Sequence, residues 1–208
     1  NKDIFIVNIG GIANISFLPT KANDKIVGFD TGPGNALMDA WFQQHNDGQF
    51  DKNGAWANIG ICDSTLLKTL LSDSYFQQPP PKSTGREYFH LPWLLKKLNL
   101  SITPVNVQAT LLQLTAQSIA IEINKLSQSG NVYLCGGGAL NNALVDAINE
   151  HLPLYNVQAT EQLDIDGDAL EAMAFAWFAY AYDHKIVGNI PSATGASKAL
   201  VLGVEYFS

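Results

Sequence analysis

Cysteine is scarce in this sequence, since the 208 residues include only Cys62 and Cys135. Two cysteines cannot build a disulfide framework, and without a C-x-x-C spacing they give no support to a zinc site. Long apolar runs are also lacking: no stretch reaches the roughly 18–20 residues that a membrane span needs. The first residues show no signal peptide. We therefore expect a reduced, cytoplasmic setting, no membrane partner and no metal held by the chain alone.

Positive charge is also sparse. Only 15% of the residues are charged, and 12 Lys and Arg stand against 19 Asp and Glu, for a net charge of −7. A general nucleic-acid binder needs basic clusters to neutralise phosphates, so the balance argues against that class. A nucleotide is not excluded, because backbone N–H groups can hold a phosphate without net charge. Hydrophobic residues make up 47% of the chain, which excludes a disordered protein and is enough for a sizeable core.

Apolar runs separated by turn residues predict an α/β domain with a mixed sheet. The first three strands follow one another through short turns, which is typical of an antiparallel meander. The predicted strands are 4–7, 12–18, 26–29, 131–134, 153–157 at the sheet edge, and 199–206. The predicted helices are 36–44, 64–72 with Asp63 or Ser64 as its cap, 91–98, 106–126, 141–150 and 168–182.

Two segments carry further structural expectations. The helix predicted over 168–182 is strongly apolar, so its large side chains are expected to be buried. The candidates are Leu170, Met173, Ala174 and Trp177. The three consecutive prolines at 79–81 indicate a stiff, extended stretch at a hinge or domain edge.

Two glycine-rich turns follow predicted strands and could approach a ligand closely. In residues 8–14, the N–H groups around Gly10 and Gly11 could hold a phosphate, although an ordinary hairpin turn explains the same glycines. In residues 135–142, three glycines (Gly136, Gly137 and Gly138) precede a helix and could carry a flat ligand. A packing turn is the alternative there. The second turn matches neither the G-x-G-x-x-G pattern nor a P-loop.

Asp30 is the first candidate for acid or base chemistry. It stands at the end of a predicted strand and is followed by the glycine-rich residues 31–35 and then a helix. A strand end holds a carboxylate rigidly, and the glycines leave room for a substrate. The alternative is that Asp30 only caps its turn by accepting downstream N–H groups. Asp39, within the next helix, is expected to be a solvated or structural acid.

Two further segments contain polar groups of uncertain role. Residues 82–87 combine a lysine, two hydroxyls and Arg86 around a glycine, which would suit a phosphate or a sugar; a solvated loop is favoured by the sequence alone. The acids at 164–171 resemble a calcium loop, but Glu171 falls at position 8 where position 12 is required. Asp166 or Asp168 is expected to cap the following helix. Glu171, one turn in, either uses the helix dipole or faces a site.

Taken in order, these segments resemble the anhydro-N-acetylmuramic acid kinases, members of the actin, sugar kinase and heat-shock ATPase superfamily. The match spans nearly the whole chain. The matching strings are NIGGIAN at 8–14, GFDTGPGN at 28–35, LMDAW at 37–41, KSTGRE at 82–87, CGGG at 135–138, DALEAMAFAW at 168–177 and PSATGA at 191–196.

The resemblance implies a ribonuclease H-like, actin-type ATPase lobe and a role in cell-wall recycling. Members of the family use ATP and Mg2+, open the 1,6-anhydro ring with water and phosphorylate O6, giving N-acetylmuramic acid 6-phosphate. By this resemblance, Asp30 is the general base for the water and Glu171 helps to hold the water or sugar. The implied contacts are Gly10, Gly11 and Asn14 for phosphate, Gly136, Gly137, Gly138 and Asn141 for adenosine, and Gly32, Gly34, Asn35 and Arg86 for the sugar substrate.

One departure from the family pattern is clear. The family carries an earlier phosphate loop, Gly-Thr-Ser-x-Asp-Gly, and no such string occurs here. We therefore expect this chain to be the carboxy-terminal lobe of a two-lobed kinase. It should fold, with little or no turnover alone, and the resemblance also implies a possible homodimer. The competing hypothesis is a non-catalytic domain of the same fold that binds a nucleotide or sugar.

Overall fold

A computed structural model describes residues 2–21, 24–99, 101–165, 167 and 169–206. Its centre is one five-stranded sheet with the strand order β3-β2-β1-β4-β5. The strands are β1 (Ile4–Ile9), β2 (Ile12–Leu18), β3 (Val27–Pro33), β4 (Gly130–Cys135) and β5 (Tyr155–Ala159). β2 runs antiparallel to β1 and β3, whereas β1, β4 and β5 are parallel. This is the ribonuclease H-like mixed α/β arrangement.

The helices lie around this sheet. They are α1 (Ala36–His45), α2 (Ala55–Ile59), α3 (Ser64–Leu71), α4 (Leu91–Leu95), α5 (Pro104–Leu126), α6 (Asn142–His151), α7 (Leu170–Asp183) and α8 (Pro191–Thr194). Short 3-10 turns cover Lys52–Gly54, Ser74–Gln77, Gly137–Leu140 and Thr160–Leu163.

β1 and α5 form the middle of the core because both are apolar on the faces that meet other elements. On β1, Phe5, Val7 and Ile9 are fully buried, as the alternation of a strand requires. On the 23-residue α5, Leu111, Leu114, Ile119 and Ile123 are buried, as the helical spacing predicts. α5 begins at a proline, which is tolerated there because the first helical N–H has no partner within the helix.

Most of the predicted elements are confirmed. The bounds of β2 are those predicted, β5 is an edge strand, and Asp63 caps α3 by accepting the N–H of Leu66 at 2.8 Å. β3 is longer than predicted and extends through Pro33. It continues past Asp30 because β2 goes on pairing with it on the far side of a bulge between Ala13 and Asn14.

Two expectations about these elements are wrong. α7 is not a buried helix: only Ala181 is buried on it, while Met173 and Trp177 are about half exposed. Apolar composition predicted burial without indicating what would cover the helix. Residues 199–206 form no strand. The predicted caps Asp166 and Asp168 lie outside the described residues.

The prolines at 79–81 do not separate two domains. The segments on either side of them pack together in an aromatic cluster, where the ring centroids of Phe76 and Phe89 are 5.7 Å apart and those of Tyr75 and Phe89 are 5.4 Å apart. Both segments therefore belong to one core, and the residues after the prolines are brought against β3.

Candidate functional site

Three turns meet at the edge of the sheet where β1, β3 and β4 end. The carbonyl of Gly10 accepts the N–H of Asn35 at 2.8 Å, and the carbonyl of Gly11 accepts those of Gly34 and Ala36 at 3.0 and 3.1 Å. The Asn35 side chain donates from Nδ2 to the carbonyl of Ile9 at 3.2 Å. The carboxyl ends of parallel strands are the common ligand-binding edge of an α/β sheet.

Close packing explains several of the glycines in these turns. A Cβ on Gly34 would collide with the carbonyl oxygen of Gly10, and one on Gly138 would collide with the Ile9 side chain. Gly136 has a φ of +76°, and a Cβ there would meet the Asn8 side chain. On Gly32, a Cβ would lie 2.7 Å from the Phe76 ring. At these positions the packing interpretation is sufficient, and a contact of Gly32 or Gly34 with the sugar stays a prediction.

Gly10 and Gly137 are different, because no contact among the described residues requires glycine at either position. A Cβ on Gly10 would come no nearer than 3.6 Å to another heavy atom, and one on Gly137 no nearer than 3.7 Å. Neither residue has a left-handed φ. Since the fold would accept a side chain at both, the missing side chain leaves open backbone that a ligand could approach.

Asp30 is held at both its backbone and its carboxylate. Its Oδ2 accepts the Ser83 hydroxyl and the Thr84 N–H, each at 2.9 Å. Its backbone N–H donates to the Lys82 carbonyl at 3.1 Å, and its carbonyl accepts the Tyr75 hydroxyl at 2.8 Å. These donors belong to a distant segment rather than to the turn that follows Asp30. The turn-capping alternative is therefore not what the structure contains.

The Asp30 carboxylate lines an open cleft of about 520 Å³. Other residues of this lining include Asn14, Ser16, Lys82, Ser83 and Thr194. Asn14 on β2 stands opposite Asp30 on β3 in the register of the sheet, so the two polar residues are neighbours. The cleft thus combines a fixed carboxylate with amide and hydroxyl groups, a set that suits a hydroxylated substrate.

Lys82 contradicts the expectation of a solvated loop. Its side chain is 1% exposed, and Nζ lies 2.9 Å from Oε1 of Glu122, whose side chain is 3% exposed. Lys125 contacts the same oxygen at 3.0 Å from a half-exposed position. The pair joins the residues next to Asp30 to the carboxyl-terminal part of α5. Sequence reasoning missed it because 40 residues separate the two charges.

Arg86 lies over the turn after β1. A Cβ added to Gly11 would meet the Arg86 guanidinium, with Nη2 only 2.6 Å away. Arg86 is exposed, and no carboxylate lies within ion-pair distance of it in the part of the chain that the structure describes. A cation beside backbone N–H groups is a suitable environment for a phosphate.

A second cavity of about 370 Å³ lies next to Gly137. Its lining includes Asn35, Asp39, Asp51, Gln108, Gly137 and Asn141. Asn35 therefore faces this cavity and not the Asp30 cleft. Asn141 also caps α6 by accepting the N–H of Leu144 at 3.2 Å. Sequence reasoning missed Asp51, which accepts the N–H groups of Trp56 and Ala57, and Gln108, which carries no local signal.

Asp39 is a half-buried acid of this second cavity and not a fully solvated one. Burial raises its pKa from the ordinary value of 3.8 to about 6, and the nearby Arg86 guanidinium opposes part of that shift. The charged form is therefore disfavoured in the folded protein. Glu171, by contrast, lies exposed in the first turn of α7, and it lines neither cavity.

Two negative findings concern metals and membranes. Among the described residues, no group of three or more His, Cys, Asp or Glu is arranged to hold a metal ion. Within the same ranges, no helix combines the length and the apolar character that crossing a membrane requires.

The sheet order and the turns at its carboxyl edge define a class: an α/β lobe of the actin and sugar-kinase type. The model of one family, anhydro-N-acetylmuramic acid kinase, matches residues 1–208. The chain belongs to the anhydro-N-acetylmuramic acid kinase family.

Curated relatives carry the same family name. The chain is 51% identical to the anhydro-N-acetylmuramic acid kinase of Colwellia psychrerythraea, over 97% of this chain and 56% of that protein. It is 48% identical to those of Shewanella frigidimarina and Coxiella burnetii, over 97% and 100% of this chain and 55% and 56% of those proteins. The chain therefore spans little more than half the length of these relatives.

A solved structure has a weaker likeness. The activator of the 2-hydroxyisocaproyl-CoA dehydratase from Clostridium difficile, with bound ADPNP, shares 15% sequence identity at a TM-score of 0.45. The likeness covers 74% of this chain and 53% of that one, and it is too low to support an argument about function.

Alanine substitutions at positions 136 and 137 should distinguish a glycine that packing requires from one that packing does not require. Gly137→Ala should leave the free energy of unfolding unchanged or slightly higher, because alanine restricts the unfolded chain. Gly136→Ala should lower it by about 1–3 kcal/mol, since alanine must adopt a left-handed φ and displace Asn8. Urea unfolding of the two variants measures both values. Equal losses would show that Gly137 is also a packing residue.

Asp39 should lower the stability of the folded protein as the pH rises. Its pKa is higher in the folded protein than in the unfolded chain, so the neutral carboxyl favours the folded state. This contribution to the free energy of unfolding is fully present below about pH 4 and is lost as the pH rises through about 6. The melting temperature of Asp39→Asn, measured relative to the wild type, should therefore rise between pH 4 and pH 8. A constant difference, or a relative gain by the wild type above pH 6, would contradict this environment for Asp39.

Proposed function

We propose that this chain forms one lobe of an ATP-dependent anhydro-N-acetylmuramic acid kinase. In this reaction the 1,6-anhydro ring is hydrolysed and O6 is phosphorylated, giving N-acetylmuramic acid 6-phosphate. Membership of the family supports the substrate. The observation that carries the chemistry is the Asp30 carboxylate, which two donors fix at one oxygen on the wall of an open cleft.

Asp30 is the general base of the proposed reaction. It takes a proton from a water molecule as the water oxygen forms a bond to C1 of the sugar. The bond between C1 and the bridging oxygen breaks, and the oxygen released at C6 attacks the γ-phosphorus of ATP. ADP leaves with the electron pair of the broken phosphorus–oxygen bond. A base in this position contributes roughly 10²–10⁴-fold to the rate.

The phosphates of ATP are assigned to Gly10 and Gly11 in the turn after β1 and to Asn14 on β2. Three features support this assignment: the open backbone at Gly10, the Arg86 guanidinium over Gly11, and the position of Asn14 opposite Asp30. Arg86 is thereby better placed for a phosphate group of the reaction than for the sugar ring. The assignment brings the transferred phosphoryl group close to the base.

The adenosine is assigned to the turn after β4 and the cavity beside it. The open backbone of Gly137 and the polar lining with Asn141 support this position. Gly136 and Gly138 are adjacent to the same surface and shape the turn, although packing alone explains why they are glycines.

Mg2+ would accompany the nucleotide in this proposal. Mg2+ usually keeps several waters and binds through phosphates with one or two carboxylates, so a kinase needs no dedicated protein cage. In this assignment the ion would be held through the phosphates that bind at Gly10, Gly11 and Asn14. The ion would neutralise charge that develops on the transferred phosphoryl group.

The position of Glu171 and the greater length of the relatives both concern whether this chain contains the whole catalytic site. Glu171 could hold the water or sugar only in a site that extends beyond the Asp30 cleft, since it lies exposed on α7. The relatives are nearly twice as long as this chain. We propose that this chain is the carboxy-terminal lobe, because it lacks the earlier phosphate loop of the family pattern, and that it has little turnover alone, with the rest of the site on the other lobe. A cytoplasmic location and a homodimer remain predictions.

Asp30→Asn in a full-length family polypeptide containing this chain tests the base. The amide keeps the shape of the carboxylate but cannot take the proton, so kcat should fall by about 10²–10⁴-fold. The affinity for magnesium-ADP, measured by calorimetry, should not change.

Asp146→Asn, which alters an exposed carboxylate on α6, is the matched control and should keep full activity. If Asp30→Asn also keeps full activity, Asp30 is not the base. A wild-type polypeptide that binds magnesium-ADP and the anhydro sugar without turnover would instead favour a non-catalytic binding domain.

A further inference from the structure

Lys82 and Glu122 form a buried ion pair at a position that general stability does not explain. Their side chains are 1% and 3% exposed, and Nζ also lies 5.0 Å from the centre of the Tyr75 ring. Removing two charges from water costs about as much as their attraction returns, so apolar residues of similar volume often serve a core equally well. We therefore looked for a role of the ion pair in the contacts that its neighbouring residues make.

The surroundings of the pair are the contacts of Asp30. Three consecutive residues, 82–84, each contact Asp30: the Lys82 carbonyl accepts its N–H, and the Ser83 hydroxyl and the Thr84 N–H both donate to Oδ2. Tyr75, against whose ring the Lys82 ammonium lies, donates its hydroxyl to the Asp30 carbonyl. We name residues 82–84 the Asp30 clamp.

The clamp has a single charged anchor in the core. Ser83 itself is exposed, so core packing does not hold its side chain directly. The neighbouring Lys82 side chain runs inward to Glu122 on the buried face of α5. The anchor thus ties the position of the Asp30 carboxylate to the longest helix of the fold.

We propose that Lys82 and Glu122 are positioning residues for Asp30. Their ion pair fixes the clamp, which binds Oδ2 of the Asp30 carboxylate and, among the described residues, leaves Oδ1 without a hydrogen-bond partner. This inference rests on the proposed function, since it presumes that Asp30 acts as the base. It goes beyond that function by assigning a catalytic consequence to two charged side chains that are almost fully buried.

The main test is the double variant Lys82→Met/Glu122→Leu in the full-length polypeptide. Removing both charges avoids leaving one unpaired in the core, so the variant should fold. With the clamp unanchored, kcat should fall by about tenfold to a hundredfold, as small misplacements of reacting groups do. KM for the anhydro sugar and the affinity for magnesium-ADP should be unchanged. A wild-type kcat in the folded double variant would overturn the proposal.

Lys125→Met is the matched control. Lys125 contacts the same Glu122 oxygen at 3.0 Å, but its side chain is half exposed and it does not contact the clamp. Its removal should leave kcat at the wild-type value. If Lys125→Met lowers kcat as much as the double variant does, the effect belongs to Glu122 and α5 in general, and the proposal is wrong.

A substitution at the exposed Ser83 tests the clamp without changing any buried side chain. Ser83→Ala should lower kcat by about tenfold, because a hydrogen bond to a charged group is lost. Ser83→Thr keeps the hydroxyl and should restore most of the rate. Equal rates for wild type and Ser83→Ala would remove the clamp from the mechanism.

A cycle with Asp30→Asn separates positioning from general damage. The double variant should not lower the residual rate of Asp30→Asn further, because the group that it positions no longer acts as a base. An equal loss in both backgrounds would show a merely structural role and overturn the proposal. Full activity of Asp30→Asn itself would instead contradict the base role stated under Proposed function, a result distinct from failure of the positioning role.

Discussion

The candidate site depends on one close contact, that between the turn after β1 and the start of α1. The carbonyls of Gly10 and Gly11 accept three successive N–H groups from residues 34–36, and a side chain on Gly34 would prevent this approach. The contact fixes where α1 begins, and α1 carries Asp39 into the second cavity. The Asn35 side chain, bonded to Ile9, then lies against the turn after β4. One steric requirement therefore aligns all three turns.

The segment after the prolines connects the two ends of the site. Residues 82–84 bind Asp30, and Arg86, two residues later, lies over Gly11. The carboxylate assigned to the sugar and the turn assigned to the phosphates are thus held by one short stretch of chain. The buried Lys82–Glu122 pair anchors this stretch to α5. The proposed reaction combines attack by water with phosphoryl transfer. Because one segment contacts both Asp30 and the phosphate turn, it fixes their positions relative to each other.

Local sequence patterns predict the strands, helices and caps that neighbouring residues determine. They do not predict the contacts that tertiary packing determines. β2, α5 and the Asp63 cap follow from apolar periodicity and capping preference, and the structure contains them. The glycine turns are visible as strings, but only the structure separates Gly136, which packing requires, from Gly137, which it does not. Lys82 reads as a loop residue because its partner is on another element. Likewise, an apolar helix such as α7 gives no sign of how much of it the chain covers.

We propose that Gly10 and Gly137 carry no side chain because a nucleotide binds against their backbone. The most direct measurement is the titration of magnesium-ADP into the full-length polypeptide and its Gly137→Ala variant. Since the fold has room for a methyl group at position 137, the variant should be as stable as the wild type without nucleotide. Its affinity should nevertheless fall by about tenfold or more, since the methyl group occupies space that the ligand needs. Equal affinities would contradict the account and place the nucleotide elsewhere.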